Sequence, residues 1–151
     1  MNIQLAIKDG INILLDKRIN SAKLDAEILM AKVLKKDREF IFLNNNYDLE
    51  NKNLEYFNEL IKQRSNYKPI AYLINKKSFW KNEFFVNKNT LIPRPDTEML
   101  VEQVLKLTKH KNVMNILDIG VGSGCILLSI LKERKNFYGT GIDISKNSLE
   151  T

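Results

Sequence analysis

The amino-acid sequence predicts an α + α/β protein: a small N-terminal helical bundle, a β-hairpin linker, and the opening strands and helices of a parallel α/β domain. Three observations carry this. Apolar residues recur at helical spacing through the first seventy positions. All three prolines, Pro69, Pro93 and Pro95, fall between residues 67 and 95, among clustered aromatic residues. Beyond residue 113, short apolar runs alternate with a helical stretch and are joined by glycines. These shifts divide the chain into 1–66, 67–95 and 96–151.

Ile3, Ile7, Ile11 and Leu14 form one helical stripe. Ser21 fits the N-cap of a second helix whose apolar face is Leu24, Ile28, Ala31 and Leu34. Asp37 caps a short third helix with Phe40, Ile41 and Leu43, and Asn44-Asn45-Asn46 marks a loop. A fourth helix runs from about Glu50 to Arg64, with Leu54, Phe57, Ile61 and Arg64 on one side. Around Phe79-Trp80, Phe84-Phe85-Val86 and Thr90-Leu91-Ile92 the pattern is of two or three short strands, read as a linker between two domains. Asp96 then suits an N-cap, with Met99, Leu100, Val104 and Leu107 as the apolar face. Val113–Ile119 reads as a strand, Gly120–Gly124 as a turn, Cys125–Lys132 as a helix and Phe137–Ile144 as a second strand. Ser145 caps a further helix.

Composition narrows the classes. With 44% hydrophobic and 28% charged residues the chain is neither disordered nor fibrous. No apolar run approaches the ~20 residues that span a bilayer. Lys8 and Asp9 interrupt the N-terminal segment, which is unlike a secretory signal. The single cysteine, Cys125, excludes an internal disulfide and any CxxC site. A cytoplasmic protein is expected. The net charge of +6 comes from lysines spread along the whole chain among many asparagines, which fits a solvated surface better than a nucleic-acid face. His110 reads as a surface residue and Cys125 as a packing one.

The chemistry lies in Asn115-Ile-Leu-Asp-Ile-Gly-Val-Gly-Ser-Gly-Cys-Ile. Glycines between a strand and a helix let backbone amides approach a ligand without Cβ obstruction. A dinucleotide site prefers G-x-G-x-x-G/A, but here the third position is Cys125. The pattern present is D-x-G-x-G-x-G. It suits S-adenosylmethionine, which has no pyrophosphate but carries an ammonium and a sulfonium that an acid at the strand end, Asp118, can serve. Asp143, at the end of the second strand, matches the acid that accepts ribose hydroxyls. The candidate cofactor residues are Asp118, Gly120, Val121, Gly122, Ser123, Gly124 and Asp143. Taken singly, the glycines also suit a plain tight turn, Asp118 a helix cap and Asp143 a turn; it is the combination that points to a cofactor. No catalytic residue and no metal ligand is assigned.

Further stretches carry a family resemblance: Leu24-Asp-Ala-Glu-Ile-Leu, Pro69-Ile-Ala-Tyr-Leu, Ser78-Phe-Trp, Phe84-Phe-Val and Thr90-Leu-Ile-Pro-Arg-Pro-Asp-Thr-Glu98. With Asn115–Gly124 they resemble, in one colinear register, the release-factor glutamine methyltransferase family of HemK/PrmC type, over its N-terminal part. The resemblance implies a Rossmann-like class I methyltransferase domain, here truncated, behind a helical domain that helps hold the release factor. It implies methylation of the glutamine amide in the GGQ motif of peptide-chain release factors, with S-adenosyl-L-methionine as donor. It places the Pro93–Glu98 segment against the cofactor side.

The family's Asn-Pro-Pro-Tyr motif, which grips the target glutamine, is absent from these 151 residues. An amide nitrogen is a poor nucleophile and needs such positioning, worth on the order of 7–11 kcal/mol at best. The chain alone is therefore expected to be inactive, and its parallel strands to leave an apolar edge open. Two alternatives stand beside the enzyme: a non-catalytic release-factor-binding module, and a methyltransferase for nucleic-acid amino groups. Release factors are the expected partners; neither a membrane nor direct nucleic-acid contact is.

Overall fold

The computed structural model describes residues 1–151. The chain forms two compact units, Met1–Ile74 and Asn75–Thr151.

The first unit is helical: α1 (Ile3–Asp16), α2 (Ala22–Leu34), α3 (Arg38–Leu43), α4 (Asn51–Ser65) and α5 (Ile70–Ile74). The α1 stripe is as read, with Ile3 and Leu14 fully buried and Ile7 and Ile11 packed against the same core. Gly10 lets α1 approach α4 closely; a Cβ there would lie 3.0 Å from Ile61 Cδ1 and 3.1 Å from Phe57 Cζ. Asp37 caps α3, its carboxylate accepting the Phe40 amide at 2.7 Å. Ser21 stands at the start of α2 without capping it, because its hydroxyl donates instead to Asp25 Oδ2 at 2.8 Å.

The expected face of α2 holds at Ala31, which is buried, and at Leu34, which packs against the core, and is corrected at Leu24. Leu24 is exposed, and the buried residues are Asp25, Ala26, Leu29, Met30 and Val33, with Ala22 and Ala31. This helix packs against α1, α3, α4 and α5, so it is buried on most sides and a single stripe does not describe it. The buried Asp25 meets Arg64 of α4, whose Nε donates at 2.7 Å.

The segment read as a hairpin linker divides. Its start, Ile70–Ile74, is helix α5 of the first unit. The hairpin itself, β1 (Lys76–Phe79) and β2 (Asn82–Phe85), pairs antiparallel and belongs to the second unit. The run at Thr90–Ile92 is not a strand. Phe79 and Phe84 enter the second core with Val101, Cys125, Ile130 and Phe137. The hairpin turn is also held by polar contacts: the Trp80 amide donates to Glu98 Oε1 at 2.8 Å and its indole to Glu133 Oε1 at 2.9 Å. The hairpin thus packs as part of this core.

After a 3₁₀ turn at Pro95–Thr97 come α6 (Glu98–Leu107), β3 (Met114–Ile119), α7 (Cys125–Glu133), β4 (Phe137–Ile142) and α8 (Lys146–Leu149). Asp96 does not cap α6, which begins at Glu98 after Thr97. Its inward face is Val101, Val104 and Leu105, whereas Met99, Leu100 and Leu107 are exposed. Strands β3 and β4 pair in parallel, with Asp118 opposite Gly141 and Ile119 opposite Ile142. Met114, Ile116 and Asp118 lie on the half-buried side of β3, while Leu117 and Ile119 are exposed. Ser145 caps α8, accepting the Ser148 amide at 3.2 Å. No helix is long and apolar enough to cross a membrane.

Candidate cofactor site

The chain between β3 and α7 alternates in handedness. Gly120, Gly122 and Gly124 have φ of +81°, +53° and +72°, a region that costs an L-residue roughly 1–2 kcal/mol. Backbone bonds fasten the bend to β4. The amides of Gly120 and Val121 both donate to the Ile142 carbonyl, at 2.8 and 3.0 Å. The Gly124 amide donates to the Val121 carbonyl at 2.8 Å, and the Leu128 amide to the Gly124 carbonyl at 2.9 Å, which starts α7.

Asp143 joins this bend from the end of β4. Its Oδ2 accepts the Gly122 amide at 2.9 Å and its Oδ1 accepts the Ser145 amide at 2.8 Å. These two bonds, Ser145 first, hold its carboxyl below the ordinary carboxylate value. The arrangement brings together the second acid and the glycines, although they are distant in sequence.

Asp118 sits differently. It is half-buried on the α7 side of β3, and burial pushes its carboxyl above the ordinary value while an amide at Leu127 draws it part of the way back. A carboxylate in that position gains from a cation that offsets its lost hydration. Cys125 is buried at the start of α7, and burial raises its thiol, so it is a packing residue and not a nucleophile.

The bend is bare where a ligand would lie. A Cβ built on Gly120 meets no atom within 4 Å, and one on Gly122 meets only the Gly120 carbonyl oxygen at 3.9 Å. These glycines are not filled by protein packing. Two other glycines behave oppositely and carry no signal in the D-x-G-x-G-x-G pattern. A Cβ on Gly139 would fall 2.7 Å from Leu127 Cδ1, and one on Gly141 would fall 2.7 Å from Val121 Cγ2. Their spacing along β4, two and four residues before Asp143, is the sequence signal that marks them. The open bend, the acid at the strand end and the half-buried acid beneath α7 fit a nucleoside carrying a cationic group.

The Thr90–Glu98 segment is anchored within the same unit. Glu98 holds the hairpin turn, Ser148 Oγ of α8 donates to the Asn89 carbonyl at 2.7 Å, and Asn87 Nδ2 donates to Thr151 Oγ1 at 3.2 Å.

A helical unit is thus followed by a strand, glycine bend, helix and parallel strand, with an acid at the end of each strand. Comparison with known proteins narrows the reading. Residues 6–74 match the family model described as the PrmC N-terminal domain, ending at the same Ile74 that closes the first unit. The chain is 45% identical to the release factor glutamine methyltransferase of Buchnera aphidicola subsp. Baizongia pistaciae, over 89% of this chain and 49% of that protein. It is 43% identical to the release factor glutamine methyltransferase of Leptospira interrogans, over 99% of this chain and 52% of that protein. A bifunctional methyltransferase of Rickettsia bellii is 33% identical over 99% of this chain and 32% of its own length. The chain is similar to release factor glutamine methyltransferases over nearly all of its residues, carries a match to the PrmC N-terminal domain in its first unit, and spans about half the length of the curated relatives it matches.

Proposed function

We propose that this chain provides the donor-binding bend and the substrate-docking helical domain of an enzyme that methylates the glutamine amide in the GGQ motif of peptide-chain release factors. The donor is S-adenosyl-L-methionine and the setting is translation termination in the cytoplasm. One observation carries the reading: Gly120 and Gly122 face open space while their amides and that of Val121 are locked to Ile142 and Asp143. A rigid backbone with nothing packed on it suits the close approach of a ligand.

When bound, the donor supplies an electrophilic methyl group on a sulfonium. On this reading Asp143 does two jobs, fixing the Gly122 and Ser145 amides and accepting the ribose hydroxyls with its remaining lone pairs. Asp118 pairs with the ammonium, directly or through water, and that cation restores what burial takes from the carboxylate. Gly120–Gly124 lie along the methionine and ribose portions, with Val121 and Ser123 between the glycines. No residue of this chain is assigned to the target glutamine, since Asn-Pro-Pro-Tyr is not among its residues.

Calorimetry tests the donor assignment. The full chain is expected to give a saturable heat with S-adenosylmethionine and none with a nicotinamide dinucleotide; the reverse result, or no heat with either, overturns it. Titration of the same chain with a release factor tests the docking assignment. No association at tens of micromolar, a free energy of roughly −6 to −7 kcal/mol, counts against it.

A further inference from the structure

We propose that Gly141 is a positioning residue for the glycine bend: its missing side chain makes the space that Val121 occupies, and through Val121 it sets where the Gly122 amide meets the Asp143 carboxylate. The proposal deepens the cofactor reading above and rests on it.

Gly141 lies in β4 opposite Asp118. It has no left-handed φ, unlike the three glycines of the bend, so any residue fits its backbone. Glycine is required there by space alone. A Cβ at Gly141 would stand 2.7 Å from Val121 Cγ2, 3.0 Å from Val121 Cβ and 3.2 Å from Val121 Cγ1. Such approaches are relieved cheaply only when the neighbour is the free end of a flexible side chain. Val121 is not. It is β-branched and stiff at χ1, and its Cβ is rigidly attached to the backbone. That backbone is pinned on both sides, the amide to the Ile142 carbonyl at 3.0 Å and the carbonyl to the Gly124 amide at 2.8 Å. A displacement at Val121 therefore passes to the next peptide, whose Gly122 amide donates to Asp143 Oδ2 at 2.9 Å. Gly139 is the internal control. Its built Cβ meets the terminal methyls Leu127 Cδ1 and Leu131 Cδ1 at 2.7 and 2.8 Å, with Leu127 Cγ at 3.2 Å, all on α7 and none on the bend.

The test uses the full chain in four forms: wild type, Gly141→Val, Gly141→Val with Val121→Ala, and Gly139→Ala. The double variant removes the two Val121 methyl groups that stand 2.7 and 3.2 Å from the new Cβ and so offsets two of the three carbons that Gly141→Val adds, leaving the Cβ–Cβ approach of 3.0 Å. Two readings are made, the Gly122 amide by ¹⁵N NMR with its exchange rate, and S-adenosylmethionine binding by calorimetry. Gly141→Val is expected to shift the Gly122 amide, speed its exchange and weaken binding about tenfold or more, the scale of an overpacked contact. The double variant recovers both in part, and Gly139→Ala leaves the Gly122 amide in place. An unmoved Gly122 amide in a folded Gly141→Val chain overturns the proposal. So does a double variant that stays as impaired as the single one. If wild type takes up no S-adenosylmethionine, the cofactor reading fails, and the Gly122 amide still decides whether Gly141 acts through Val121.

Discussion

Replacing Arg64 with methionine is expected to cost the helical unit about 3 kcal/mol, the low end of the ~3–5 kcal/mol that follows removal of one partner from a buried ion pair. The structure sets that figure. The Asp25 side chain is 4% exposed and the Arg64 side chain 16%, so the acid is enclosed while the guanidinium keeps some solvent. Arg64 Nε donates to Asp25 Oδ2 at 2.7 Å, and its second nitrogen donates to the Lys68 carbonyl at 3.2 Å. Without Arg64, the charge on Asp25 is left with the Ser21 hydroxyl alone, at 2.8 Å. A unit of 74 residues has roughly 4–11 kcal/mol of stability in total, so the loss is a large share of it and lowers the midpoint by roughly 12–24 °C. The only tryptophan, Trp80, lies in the other unit, so amide exchange in α2 and α4 is the direct assay. Adding Asp25→Asn to Arg64→Met is expected to recover most of the loss, because asparagine keeps an acceptor for Ser21 and carries no charge to strand. An Arg64→Met chain within about 1 kcal/mol of wild type, the range of an exposed pair, would refute the reasoning, as would a double variant no better than the single one.

Two substitutions at the bend should act with opposite sign. Asp118→Asn is expected to slow amide exchange around β3 and α7 near neutral pH while weakening S-adenosylmethionine binding; unchanged stability with unchanged binding would remove Asp118 from the site. The sign follows from the raised carboxyl: folding favours its protonated form, so its destabilising effect grows as pH climbs through the raised value and is absent in acid. Asp143→Asn is expected to release the Gly122 and Ser145 amides and weaken binding. Because Asp143 is held below its ordinary value, its support for the bend is complete above the ordinary carboxylate range and disappears as pH falls through the lowered value. Acid titration of the Gly122 amide in wild type, flat in the variant, checks this.

Much of the fold was legible because local chemistry and tertiary environment agree there. The α1 stripe, the Asp37 and Ser145 caps, the parallel strands and the glycine bend are each written in a few adjacent residues. Where the reading slipped, a distant contact outweighed the local pattern. Ser21 has the right residue type for a cap, but Asp25, four residues on, takes its hydroxyl because that acid is buried and needs donors. On α2, burial by several neighbouring helices hides any stripe, so the sequence pattern favours Leu24 inward over Ala26, whereas Ala26 is the buried one. On α6 the correct face, Val101, Val104 and Leu105, has helical spacing and was available, but the competing set at Met99 and Leu100 is equally apolar. The hairpin looked like a linker since its prolines and turn residues stand out. What fixes it to the second core is Phe79 packing and the Trp80 contacts to Glu98 and Glu133, which join residues far apart in sequence.

The bend is legible in its alternating glycines, yet the alternation explains only three of the five glycines around it. Gly120 and Gly122 are needed for a left-handed backbone beside open space, whereas Gly139 and Gly141 have an extended backbone and are needed because something else fills the place of a side chain. A sequence pattern does not distinguish the two uses; the direction of the missing Cβ does. The difference matters for how the site is dissected. Asp143 both fixes two amides and, on the proposed reading, receives the ribose, so removing its charge confounds building the bend with binding the donor. Gly141 has no side chain and carries no charge. A substitution there moves the same amide by volume alone, and is offset in part by removing volume at Val121, which separates the placement of the bend from the chemistry of its acid.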